Sequence, residues 1–165
     1  MSEIAGFDIR YTYLTDMSYL RQWVLSPGML KWFPMGSEKE IEDALQCWMG
    51  FCRWSASLTA TINHVPCGVG TLFLMPYKKV AHHCLIKLIV DPHWQRKGIG
   101  LSLVKNLKHL AKSYFHLETI GSEVFEGNPL MALLQQSGFT EVFRQERAVK
   151  DEEGYKARIF FEAKL

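Results

Sequence analysis

The sequence has no apolar stretch approaching the ~20 residues that a membrane-spanning helix needs; its longest convincing run, Leu85 to Val90, is interrupted by Lys87. Its first residues, MSEIAGFDIR, contain no apolar leader core, so we expect no secretory signal. Cysteine is sparse. Cys47, Cys52, Cys67 and Cys84 form no C-x-x-C pair and fall short of a disulfide-framed scaffold, so we expect free thiols in a soluble, cytoplasmic chain. His64 and Cys67 lie three apart, but two residues do not make a metal site and no second pair stands at zinc spacing, so no metal is expected. A formal charge of +2 with no basic run excludes the field that would recruit nucleic acid. No nucleic-acid or membrane partner is expected. Two phosphate-binding patterns are also missing. There is no G-x-x-x-x-G-K-[ST], and Leu103 stands where G-x-G-x-x-G would need its third glycine, which excludes the P-loop and dinucleotide readings.

What is present is enough for one well-buried domain. With 165 residues, 48% hydrophobic and 22% charged, the expected unit is a single domain over 1–165. The chain is organised around Ile89 to Leu101, IVDPHWQRKGIGL. An apolar run ends at Asp91-Pro92, a short loop reaches Gln95-Arg96-Lys97-Gly98-Ile99-Gly100, and an amphipathic stretch follows: strand, glycine turn, helix. Gly98 and Gly100 allow backbone N–H groups to converge on one point, and the helix N-terminus adds its positive end, which makes a cradle for phosphate. Arg96 and Lys97 raise the local potential. The G-x-G spacing by itself is also what a sterically tight helix start requires.

In chain order, Phe7, Ile9, Tyr11 and Tyr13 alternate with polar residues as in a half-buried strand. Asp16 is placed to cap a helix carrying Leu20, Trp23 and Val24, which Ser26-Pro27-Gly28 ends. Ser37 and Glu40 form a capping box before Ile41, Leu45, Trp48 and Phe51 at helical spacing. Between these helices, Trp32, Phe33 and Met35 either line a substrate mouth or pack under the helices. The stripe Trp48, Phe51 and Trp54 reads as core. Ser55 to Ile62 and Val69 to Met75 read as strands joined by a loop over Asn63 to Gly68. His83 to Val90 is the central strand, and Leu103, Leu107 and Leu110 mark a helix from Gly100 to His116. Thr119 to Phe125 reads as a strand, and Asn128, Pro129 and Gly138 bracket a short helix. Val142 to Val149 and Tyr155 to Leu165 close the chain as a hairpin.

Q-x-x-G-x-G after a strand and V-D-P, the SEVFEGN segment and QQSGF together resemble the GNAT superfamily of acyl-CoA-dependent N-acyltransferases over nearly the whole chain. The resemblance implies an α/β (α+β) fold with a mixed, mostly antiparallel sheet of about seven strands flanked by about four helices. It implies acetyl-CoA as co-substrate, an amine acceptor of unspecified type, and a monomer or homodimer. Backbone groups of Leu88, Ile89 and Val90 would pair with the pantetheine arm. Gln95, Arg96, Lys97, Gly98, Ile99, Gly100, Leu101 and Ser102 would hold the pyrophosphate, and Asn128 would contact the arm. The alternative is a non-catalytic acyl-CoA-binding domain of the same fold.

Attack on a thioester needs a neutral amine. At pH 7 deprotonation costs roughly 4.6 kcal/mol for a lysine-type amine and about 1.1 for an α-amino group. A base therefore matters most for alkylamines. The position that the family commonly uses falls near Cys84, so the candidates are His82, by period two with Cys84, then His83, then Glu123 on the following strand. The same histidines also read as ordinary strand-entry residues. The tyrosine that many relatives carry in the short helix is absent: Leu134 or Gln135 takes its place. A thiol has a pKa near 8.5, so its thiolate leaves tolerably without that acid.

Overall fold

The computed structural model describes residues 3–165. Its centre is a sheet of β1 (Phe7–Tyr11), β2 (Ser57–Ile62), β3 (Val65–Leu74), β4 (His83–Val90), β5 (Thr119–Phe125), β6 (Thr140–Asp151) and β7 (Gly154–Lys164). The helices are α1 (Met17–Val24), α2 (Glu38–Gly50), α3 (Ile99–Ser113) and α4 (Leu130–Gln136). The spatial order is β1-β2-β3-β4-β5-β7-β6. Every neighbouring pair is antiparallel except β4 and β5. Parallel neighbours need a crossover, and α3 supplies it.

Alternation along the strands assigns the two faces. Leu58, Ala60 and Ile62 of β2, Cys84, Ile86 and Leu88 of β4, and Ile159, Phe161 and Ala163 of β7 pack with Leu103, Val104 and Leu107 of α3. Fully burying a leucine such as Leu107 contributes about 2 to 3 kcal/mol. On the opposite face α1 and α2 lie over β3 and β4: Val69 and Ile89 meet Leu20, Trp23 and Val24 of α1 and Ile41, Leu45 and Trp48 of α2.

On that second face β2 presents hydroxyls. Ser57 lies 2.8 Å from Thr12 and 2.7 Å from Thr71, Thr71 accepts from Trp48 Nε1 at 2.9 Å, and Thr59 Oγ1 is 2.9 Å from both Thr12 and Asp16. Asp16 is buried, and its carboxylate also accepts from Arg10 at 2.8 and 3.0 Å and from the Tyr13 N–H at 2.9 Å. Asp16 makes no side-chain bond to α1. It ties β1, β2 and the first turn together, where sequence reading expects a simple helix cap.

Other local expectations hold or shift for identifiable reasons. The Ser37–Glu40 capping box is formed, and Asn128 Oδ1 accepts the Leu130 N–H at 2.9 Å at the head of α4. The β2–β3 connection is shorter than the expected Asn63–Gly68 loop. Asn63 and His64 both adopt left-handed φ, 50° and 69°, and turn the chain in two residues. Cys67 is therefore a core residue of β3. α2 ends at Gly50, and a 3₁₀ turn over Phe51–Trp54 follows; its tighter period breaks the helical stripe and leaves Trp54 65% exposed.

Candidate active site

β4 and β5 pair through three residues only, His83 with Thr119, Cys84 with Ile120 and Leu85 with Gly121. Beyond Leu85 the strands diverge. β4 stays bonded to β3 as far as Val90; Ile86 O still receives Ser122 Oγ of β5 at 3.4 Å, and from Lys87 onward the other edge lies open toward β5. A strand edge of this kind presents unpaired N–H and C=O groups to any extended ligand.

A cleft of about 490 Å³ occupies the opening. Leu88, Ile89 and Val90 form its β4 wall, and Asn128, Leu130, Leu133 and Gln136 form the wall at α4. Met29, Trp32 and Phe33, from the α1–α2 connection, reach the cleft as well. Met29 and Phe33 also pack on the α1–α2 core, so this loop serves as both mouth and packing element. Gln95 fastens it: its Nε2 donates to Val90 O at 3.2 Å and approaches Met29 Sδ at 3.8 Å.

The glycine turn closes one end of the cleft through Gln95, Arg96, Gly98, Gly100 and Leu101. Asp91 accepts the His93 N–H at 2.9 Å to start the turn, and Arg96 and Gly98 follow with φ of 62° and 85°. Gly98 is the N-cap of α3, and the first helical bond of this turn is from Ser102 N to Gly98 O at 3.1 Å. The N–H groups of Ile99, Gly100 and Leu101 thus have no partner within the helix, which is the donor set a pyrophosphate requires. Gly100 has a separate reason to be glycine: a Cβ there would overlap Leu133 Cδ1 of α4. Lys97 and Ser102 stand outside the cleft lining, and Ile99 is turned into the core.

The three candidate bases are not brought together. His82 is exposed in the turn before β4, because the strand begins only at His83, and alternation with Cys84 does not extend to it. The two imidazoles meet each other, 4.9 Å apart, at the closed end where β4 and β5 still pair. At ~3.3 Å per residue, His83 is about 16 Å along the strand from Leu88. Glu123 lies on β5, two residues past the last pair with β4, on the face away from α3. Its carboxylate receives Arg158 Nη1 of β7 at 3.4 Å. Cys84 sits in the α3 core, where burial pushes its thiol up to about 12; burial and the Asp91 charge push Cys67 up to about 11. Neither thiol is a nucleophile. No tyrosine lines the cleft: Leu134 is fully buried in the core, and Gln136, not Gln135, reaches the lining.

A sequence profile of the acetyltransferase (GNAT) family matches residues 19–139, which span both helices of the second face, the glycine turn and α4. The chain belongs to the GNAT acetyltransferase family. The GNAT fold is shared with solved structures at low identity. The yncA protein of Salmonella typhimurium, solved with its cofactor acetyl-CoA, superposes with a TM-score of 0.80 at 15% identity, covering 97% of this chain and 94% of its own. The ribosomal-protein-alanine N-acetyltransferase of Brucella melitensis gives 0.79 at 18%, with 96% and 99% covered. An N-acetyltransferase from Staphylococcus aureus Mu50 gives 0.83 at 15%, with 97% and 99% covered. No curated protein sequence matches the chain. Among the described residues of this GNAT chain, no helix is long and apolar enough to cross a membrane, and no cluster of three or more His, Cys, Asp or Glu is placed to hold a metal.

Arg158 is the neighbour of Glu123 that sequence reading misses. Its strand alternates Ala157, Ile159 and Phe161 inward with Lys156, Arg158 and Phe160 on the other face, so by pattern it is one more solvent-facing cation. Only the pairing of β5 with β7 brings it to Glu123.

Proposed function

We propose that this chain transfers an acetyl group from acetyl-CoA to a primary amine by direct attack in a ternary complex. The observation that carries the reading is the open edge of β4 past Ile86, continuous with the unpaired N–H groups of the glycine turn. Acetyl-CoA supplies an activated thioester when bound. The first turn of α3 would hold its pyrophosphate, Leu88, Ile89 and Val90 would bond its amide-rich arm, and Asn128 and the apolar residues of α4 would flank it.

Glu123 is the base in this reading, because it alone of the three candidates lies past the point where β4 and β5 separate. Its carboxylate accepts the amine proton, directly or through water, and returns it to solvent. The nitrogen lone pair forms the new C–N bond as the C–S bond breaks, and the thiolate leaves, with water as its proton source. With no tyrosine in the cleft wall, a domain that binds acyl-CoA without turnover is the second reading.

Titration calorimetry and thermal melts with CoA, acetyl-CoA, ATP and NAD test the first step. CoA compounds at 100 times their dissociation constant should stabilise the protein by about 2.7 kcal/mol. Gly98→Asp, which places a carboxylate in the cradle, should abolish that gain, while the left-handed φ of 85° at this position lowers the unliganded stability by about 1 kcal/mol. A shift with ATP or NAD equal to that with CoA would overturn the assignment. Release of free CoA over a panel of amines then separates the enzyme from the binder.

A further inference from the structure

The sheet face above β5, β7 and β6 carries no helix, since α1 and α2 lie over β3 and β4. Two rows of side chains cross this open face beside the point where β4 and β5 part. Strand register sets the first row as Glu123, Phe160 and Phe143, and the second as Arg158 and Gln145. Phe160 lies against Gly121, the last β5 residue paired with β4, and stacks on Phe143 at 5.3 Å and 15°. Phe143 is 46% exposed, so the two rings form an uncovered apolar floor that begins at the divergence of the strands.

Arg158 is poorly satisfied for a guanidinium. It has five N–H donors. Nη1 makes a long 3.4 Å contact to Glu123, Nη2 donates to Gln145 Oε1 at 2.9 Å, and Nε is enclosed without a hydrogen-bond partner among the described groups. A fork this loosely engaged has donors left for a planar anion. Beside it, Glu123 attracts a cation. A carboxylate and a guanidinium in adjacent positions, with an aromatic floor next to the carboxylate, match the charge-reversed arrangement of an amine and a carboxylate separated by one or two carbons, with an apolar side chain.

We infer that the acceptor is a free amino acid with an apolar side chain, its amine at Glu123, its carboxylate on Arg158 and its side chain over Phe160 and Phe143. The inference rests on the reading of Glu123 as the base for acetyl transfer. Arg158 and Gln145 then act as specificity residues: they select for the carboxylate and take no part in proton transfer. An alkylamine without the acid leaves the guanidinium unmatched, and a polypeptide N-terminus, whose neighbouring carbonyl is an amide, offers no charge to it.

The probes are L-phenylalanine, 2-phenylethylamine, which lacks the carboxylate, and 3-phenylpropanoate, which lacks the amine. The enclosed Arg158 Nε–H serves as the NMR reporter, assigned by its loss in Arg158→Lys. L-phenylalanine should move this resonance in a saturable way, 3-phenylpropanoate should do so more weakly, and 2-phenylethylamine should leave it in place. Arg158→Gln should raise the KM for L-phenylalanine by ~10- to 100-fold, with kcat within about twofold and the KM for 2-phenylethylamine unchanged. Gln145→Glu, which fills the seat with a carboxylate and keeps Arg158 anchored, should have the same effect. If Arg158 merely positions Glu123, kcat falls equally for both amines, and the inference is overturned. It is also overturned if neither acid moves the Nε–H resonance while CoA binds normally. Loss of CoA binding would instead remove the acetyl-transfer reading, and the resonance shift, which needs no turnover, would still report on the carboxylate seat.

Discussion

Two arginine–carboxylate pairs lie on the same sheet and have little else in common. Arg10 meets Asp16 through two short bonds of 2.8 and 3.0 Å, and the Asp16 side chain is 4% exposed and further bonded by Thr59 and the Tyr13 N–H. Arg158 meets Glu123 through one contact of 3.4 Å, with the two side chains 37% and 41% exposed. The first pair has every reason to stay as it is: Asp16 is buried, and separating it from Arg10 would strand its charge. The second is open to water and incompletely bonded, and exchanging partners there costs little. One pair fixes the first strand and turn onto the sheet, and the other is exposed and loosely held.

The largest effect should come from Glu123→Gln. It keeps the shape and removes the proposed base, so turnover of an accepted amine should fall by ~10² to 10⁴ with CoA affinity unchanged. Stability in urea should move by no more than about 0.5 kcal/mol, as for an exposed substitution. A loss of folding in place of a loss of rate would erase the distinction between the two pairs.

Asp16→Asn should do the reverse. Leaving Arg10 without its partner in a buried network should cost about 3 kcal/mol in a urea titration, with CoA binding by the folded fraction intact. Acid sharpens the same point. Burial pushes the Asp16 carboxyl upward, but the bonds from Arg10, the Tyr13 N–H and Thr59, with the Arg10 charge, outweigh it, so the net shift is below the ordinary 3.8. A folded value under the unfolded one means the stabilisation is complete above 3.8 and disappears as pH falls through the lower folded value. The stability difference between wild type and Asp16→Asn should therefore be flat near neutrality and shrink below pH 3.8. A difference that grows on acidification would contradict the pairing.

The smallest effect is expected at the histidines. His82→Ala and His83→Ala should each leave turnover within about twofold, since both lie at the closed end of the β4–β5 opening. A 100-fold loss in either would return the base to that strand and reduce Glu123 to a surface ion-pair partner.

The parts of this architecture that depend on neighbouring residues are the parts that sequence reading recovers. The Ser37–Glu40 box, the Asn128-Pro129 start of α4 and the run from Asp91 to Gly100 each carry their geometry within a few residues. Thr119–Phe125 is read with its observed bounds because its flanks are clear. The β2–β3 turn is read as too long because Asn63-His64 lacks the glycine that usually announces a two-residue connection. The meeting of Glu123 with Arg158 crosses 35 positions of sequence and depends on strand order, with β7 inserted between β5 and β6. No periodicity within either strand encodes that insertion. The histidines illustrate the same limit: counting from Gln95 gives a position along the chain but not where β4 begins.

The divergence of β4 from β5 also bears on how freely this region of the gene can vary. An edge that offers N–H and C=O groups is independent of which side chains alternate along it. Ile86 and Leu88 pack against α3 and Ile89 beneath α1 and α2, and Leu88 and Ile89 also line the cleft. Substitutions there are constrained mainly in volume and apolarity, and the main-chain groups of the edge stay the same whichever side chains are present. Chains can then differ at most positions and still share a fold, as this one does at 15% identity with 97% of the chain superposed.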